Sequence, residues 1–134
     1  MTPRYPASTA LAGRRILLVE DADDIRDLLA FLLRSEGAEV RAARCARDAV
    51  ESAAAWDFDA LVTDIGLPDV SGDHLIREIF GIKTRRPRVI VITGFGEPYV
   101  ARAREAGADA VFTKPLEWTV LRDELSVGNT ALAA

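Results

Sequence analysis

Short apolar runs alternate with amphipathic helical patterns along this chain. Arg15–Val19 (RILLV) sets four apolar residues behind a basic one, the pattern of a strand buried on both faces. Ile25, Leu28, Leu29, Leu32 and Leu33 then recur at helical spacing, which predicts a helix with one apolar face. Asp21, Asp23 and Asp24 precede it as acids suited to a helix N-terminus, and Gly37 stops it. Glu39–Ala43 is a weaker strand candidate, and the alanine-rich Ala46–Ala55 is helical by propensity. Ala60–Thr63 (ALVT) reads as another buried strand and runs into Asp64. A turn-rich stretch follows (Gly66, Pro68, Asp69, Ser71, Gly72), then a helix marked by Leu75, Ile76, Ile79 and Phe80 and closed by Gly81. Arg88–Thr93 (RVIVIT) is the clearest strand. Pro98 opens a helix running to about Ala106, and Gly107 ends it. Ala110–Thr113 is a last short strand, broken at Pro115. Trp118, Leu121 and Leu125 give a final amphipathic helix.

Five strands and five helices in strict alternation imply right-handed βαβ units. The expected fold class is α/β, a doubly wound parallel sheet with helices on both faces. Ligands of such folds sit at the carboxyl ends of the strands, near a topological switch point. Five side chains with chemistry fall there. Glu20 and Asp21 follow the first strand, Asp64 the third, Thr93 ends the fourth, and Lys114 with Pro115 follows the fifth. Converging carboxylates repel, by about 4 kcal/mol per pair at 4 Å and an effective dielectric near 20, so one is protonated or a cation is bound. Oxygen-only ligands with open positions suit a hard ion, and Mg²⁺ fits best. Cys45 and His74 are the only cysteine and histidine, so no zinc set exists. A divalent cation beside a hydroxyl and an ammonium makes a phosphoryl-binding constellation, and a central carboxylate, Asp64, can serve as its nucleophile.

Composition narrows the partners. The 134 residues are one domain's worth, at 49% hydrophobic and 28% charged. With 21 acids against 17 bases the net charge is −4, which argues against direct nucleic-acid binding. Arg85, Arg86 and Arg88 sit together and read as a solvated loop. Lys83 and Lys114 are the only lysines, so the lysine beside Pro115 stands out. A single cysteine permits no internal disulfide, and no run reaches the ~18 apolar residues of a membrane span, so a cytoplasmic protein off the membrane is expected. Residues 1–13 read as a flexible arm, 14–127 as the domain and 128–134 as a short tail.

Four segments, ILLVEDADDIRDLL, LVTDIGLPDVSG, VIVITGFGE and GADAVFTKPLE, occur in this order and spacing. Through them the chain resembles the receiver domain of two-component response regulators, the CheY-like fold. The resemblance covers about Arg15 to Val127 and implies sheet order 2-1-3-4-5. It implies that Asp64 accepts a phosphoryl group from a phosphohistidine on a sensor histidine kinase or phosphotransfer protein. Asp21 and Asp64 would ligate Mg²⁺ directly, Glu20 through a water, and Gly66 through its backbone carbonyl. Thr93 would hydrogen-bond a phosphoryl oxygen and Lys114 pair with the phosphate. The Lys114–Pro115 bond looks like the family's cis peptide. Such a protein is a phosphoacceptor, not an enzyme in the ordinary sense. Its readout face would be the fourth helix, fifth strand and fifth helix, with Tyr99, Arg102, Val111, Trp118 and Arg122 as candidates. The expected mode is a stand-alone receiver that docks an unknown downstream protein or a second copy of itself.

Three positions depart from the family pattern. Val111 stands three before Lys114, where relatives carry a switching Tyr or Phe, and Phe112 points to the other face by strand alternation. Gly66 offers no side chain two after Asp64. Phe95, two after Thr93, stands beside the path of attacking water, and with Gly66 it suggests slow self-dephosphorylation. Two rivals are weaker. A Mg²⁺-dependent phosphohydrolase of the haloacid-dehalogenase type wants a second aspartate where Gly66 stands. A dinucleotide site at Gly94–Tyr99 has two of three glycines and follows the wrong strand. A non-switching pseudo-receiver acting as a scaffold is the main alternative, raised by Val111.

Overall fold

The computed structural model describes residues 10–133, with side chains described up to Val127. In chain order the elements are β1 (Arg15–Val19), α1 (Asp23–Ser35), β2 (Glu39–Ala43), α2 (Ala46–Ala55), β3 (Ala60–Thr63), α3 (Gly72–Ile82), β4 (Arg88–Thr93), α4 (Tyr99–Ala106), β5 (Ala110–Thr113) and α5 (Trp118–Ala133). The strands form one parallel sheet in the order β2-β1-β3-β4-β5. Val19 pairs with both Ala43 and Thr63, Thr63 with Val91, and Thr93 with Thr113. That register brings the carboxyl ends of all five strands to one edge.

Strand alternation divides the core into two layers. Leu17, Val19, Leu61, Val89 and Val91 pack with α2, α3 and α4 on one face. Ile16, Leu18, Val62, Ile90 and Ile92 pack with Leu33, Leu121 and Leu125 of α1 and α5 on the other. This is why the central strands read as unbroken apolar runs: neither face meets water. Val111 lies against the first layer and Phe112 against the second, so the two are not interchangeable.

Three boundaries differ from expectation. Gly81 does not close α3, which continues to Ile82; the cap N–H of Lys83 bonds Ile79 instead. The flexible arm expected over residues 1–13 is packed at its end. Leu11 is fully buried in the α1–α5 layer, and its N–H bonds the carbonyl of Glu36 at 2.8 Å. Residues 1–9 lie outside the described part. The short tail expected from Gly128 is helical in backbone, because α5 runs on to Ala133. A helix tolerates an interior glycine at a cost of about 1 kcal/mol.

Candidate functional site

The carboxyl ends of β1, β3, β4 and β5, with the loops that follow them, carry the candidate side chains into one recess. Glu20 and Asp64 are buried and Asp21 is exposed; one carboxylate oxygen from each lies within 4.8 Å of the others. Lys114 reaches across from the end of β5, its Nζ 2.9 Å from Asp64 Oδ2 and 3.3 Å from Glu20 Oε1. Glu20 Oε2 accepts the N–H of Ala22 at 3.1 Å, and the Glu20 carbonyl accepts Arg26 Nη1 at 3.0 Å. Asp64 Oδ1 accepts the N–H of Gly66 at 3.2 Å. The fully buried Thr93 accepts the N–H of Phe95 on Oγ1 at 3.0 Å. The Lys114 N–H bonds the Thr93 carbonyl at 2.8 Å, and the Lys114–Pro115 peptide is cis. The Glu97–Pro98 peptide is also cis, and α4 starts at Tyr99 with Pro98 as its N-cap residue.

The electrostatics follow from this crowding. Burial raises the Glu20 carboxyl above its ordinary pKa, and Asp21 adds to the rise while the Ala22 N–H and Lys114 oppose it. Burial alone would lower the Lys114 ammonium. The hydrogen bond and charge of Asp64, with Glu20 behind them, outweigh that and hold it above its usual value. One lysine therefore serves two buried acids, and Asp21 has no cationic partner among the described residues. The three-carboxylate donor set suits a hard divalent cation, which would supply the missing positive charge.

Two residues read from sequence only as turn formers make close contacts across the fold. A Cβ on Gly72 would fall 2.2 Å from the Asp64 carbonyl oxygen, so only glycine lets α3 start against the Asp64 loop. Asp69 caps α2 from a distance, its carboxylate accepting the N–H groups of Ala46 and Arg47 at 3.0 and 2.8 Å. Cys45, the formal N-cap, makes no side-chain cap bond. Nothing in the local sequence of α2 signals a cap held 23 residues away.

The five residues expected on the readout face lie on α4, on the edge strand β5 and on α5. Tyr99 and Val111 pack on the α2–α3–α4 side, and Arg102 pairs with Asp73 of α3 at 3.1 Å. Trp118 packs in the α1–α5 layer, and Arg122 reaches Glu36 just past α1 at 3.8 Å. Both contacts lie on the side of the sheet that α5 shares with α1. The basic group at 85–88 is drawn into pairs: Arg86 with Asp109, and Arg88 with Glu124.

Residues 16–126 match the family model described as the response regulator receiver domain. The chain is 35% identical over 118 residues to the transcriptional regulatory protein FixJ of Rhizobium meliloti, covering 87% of this chain and 57% of that protein. It is 36% identical over 116 residues to the response regulator protein PilR of Pseudomonas aeruginosa, covering 84% and 25%. The chain thus spans little more than half, or less, of these relatives' own length. Among solved structures, the receiver domain of the sensor histidine kinase PA1611 from Pseudomonas aeruginosa superimposes with a TM-score of 0.79 at 30% identity, over 87% of this chain and 97% of that one. That structure has a magnesium ion coordinated in its active-site cleft. A CheY-like receiver domain from Methanospirillum hungatei gives a TM-score of 0.79 at 27% identity, over 88% and 98%.

Proposed function

Because this chain belongs to the response regulator receiver domain family, we propose that Asp64 is the phosphoacceptor of a two-component signalling step. The observation that carries the proposal is the position of Asp64, buried at the end of β3 with Lys114 at 2.9 Å and two further carboxylates beside it. An Asp64 carboxylate oxygen attacks the phosphorus of a phosphohistidine on a histidine kinase or phosphotransfer protein. The P–N bond breaks, its electron pair stays on the imidazole nitrogen, and an acyl phosphate forms on Asp64. Lys114 is placed to pair with the incoming phosphoryl oxygens, and the Thr93 hydroxyl is free to donate to one of them. Asp21, Asp64, Glu20 and the Gly66 carbonyl would hold Mg²⁺. When bound, the ion neutralises charge on the transferring group.

The donor protein must bring its histidine to the open side of this recess. Beside it runs a groove of about 390 Å³ between α1 and α5, lined by Ile25, Leu28, Leu32, Leu116 and Trp118, with Glu20 and Lys114 at its inner end. Leu28 and Phe31 of α1 are 57% and 66% exposed. An apolar helix face beside a reactive recess fits a partner helix, so α1 is the proposed donor dock. Output is proposed through protein contacts of the α4–β5–α5 face. The described residues contain no helix long and apolar enough to cross a membrane.

The deciding experiment incubates the protein with Mg²⁺ and acetyl phosphate or beryllofluoride. A stable adduct is expected, and Asp64→Asn should abolish it. An adduct that survives in Asp64→Asn overturns the assignment of the phosphoacceptor. Absence of any adduct in the unaltered chain favours the scaffold reading.

A further inference from the structure

Resting on the phosphoacceptor reading above, we infer that Phe95 and Tyr99 together form the aromatic relay that couples Asp64 to α4, in the place that position 111 leaves empty. Val111 is aliphatic and packed against the α2–α3–α4 layer, so it has no ring to swing between buried and exposed positions. An aromatic pair stands elsewhere. The rings of Phe95 and Tyr99 have centroids 5.0 Å apart at a tilt of 39°, within the range where aromatic pairs attract.

Both ends of this pair are tied to the relevant elements. At the site end, the backbone N–H of Phe95 bonds Thr93 Oγ1 at 3.0 Å. The ring lies over Gly66, where a Cβ would stand 3.0 Å from its Cε2. At the far end, Tyr99 is the first residue of α4. The guanidinium of Arg102, one turn on, lies 5.6 Å from the Tyr99 ring centroid and pairs with Asp73 at the start of α3. A continuous contact path therefore runs from Thr93 through Phe95 and Tyr99 to the α3–α4 junction.

The physical step is a shared hydroxyl. A threonine hydroxyl has one donor and two acceptor sites. When Thr93 donates to a phosphoryl oxygen on Asp64, its Oγ1 can keep the Phe95 N–H as acceptor, so movement of the hydroxyl draws the Phe95 backbone with it. Phe95 is 48% exposed, so its side chain has room to move. Its contacts with Gly66 and Tyr99 must then change together, and Tyr99 carries the change into α4. Gly66 is part of the device, since a larger residue there would occupy the ring's seat.

The test is NMR of the full chain with and without beryllofluoride and Mg²⁺. Fluorine signals of the bound mimic report occupancy of Asp64; amide shifts over Val100–Ala106 report the response of α4. Phe95→Ala is expected to retain the fluorine signals and lose the α4 shifts. Phe95→Tyr should restore them, and Val111→Ala should leave them intact. An undiminished α4 response in Phe95→Ala, or its loss in Val111→Ala alone, overturns the relay while leaving the phosphoacceptor standing. No bound mimic in the unaltered chain overturns both.

Discussion

At the scale of single residues, charge crowding separates what the site needs from what the fold prefers. Asp21 adds a third carboxylate to a group served by one ammonium. Replacing it by asparagine is expected to raise stability in chelator by about 1 kcal/mol, since a like-charge repulsion disappears. The same change should remove most of the stabilisation by Mg²⁺. In the unaltered chain that stabilisation should reach about 1.4 kcal/mol at ten times the dissociation constant. Thermal melts with and without the ion check both outcomes. Gly72 has the opposite profile. Gly72→Ala places a methyl into the Asp64 carbonyl. It is expected to cost about 1–3 kcal/mol and to weaken adduct formation. The Phe95 ring lies over Gly66, and it is expected to hinder the attack of water on a phosphorylated Asp64. A phosphoryl half-life well above seconds is expected, and hydrolysis within seconds would refute that reading.

Among elements, the loop after β3 is tied to two helices. Its Asp69 caps α2, and burial, which would raise its carboxyl, is outweighed by the N–H groups of Ala46, Arg47 and Val70, which hold it below the usual aspartate value. Asp73 is likewise lowered: burial opposes, while the Ser71 hydroxyl and Arg102 prevail. For a group whose folded pKa lies below its unfolded value of about 3.9, protons bind more readily to the unfolded chain. The stabilisation is complete above that value and is lost as pH falls through the folded pKa. Asp69→Asn should therefore flatten the acid limb of the stability profile, read by denaturant titrations from neutral pH downward. Asp69→Ala should cost about 1 kcal/mol at neutral pH, the usual penalty for a lost N-cap.

For the whole molecule, the two helical layers carry different surface features. The α1–α5 side carries the apolar groove and the exposed Leu28 and Phe31, while the α3–α4 side carries the Phe95–Tyr99 path. Under the proposed function, the donor would dock at α1 and the response would leave through α4. Leu28→Ser with Phe31→Ser should slow transfer from a phosphorylated histidine-kinase core by about tenfold or more, equivalent to about 1.4 kcal/mol. Phosphorylation by acetyl phosphate should be unaffected. Equal slowing with both donors would show damage to the site itself and count against α1 as the dock.

The periodicity of the chain was enough for the five strands, the five helices and their parallel arrangement, because buried strands and amphipathic helices write their surroundings into local apolar spacing. It was also enough to bring Glu20, Asp21, Asp64, Thr93 and Lys114 to one edge, since each ends or follows a strand. Local spacing holds no record of contacts made across the fold. The capping of α2 by Asp69, the closeness of Gly72 to Asp64, the burial of Leu11 and the pairing of Arg122 with Glu36 all depend on which element lies beside which. The same holds for the ring of Phe95. Sequence marked it as an unusual residue near the site, and only tertiary packing set it between Gly66 and Tyr99.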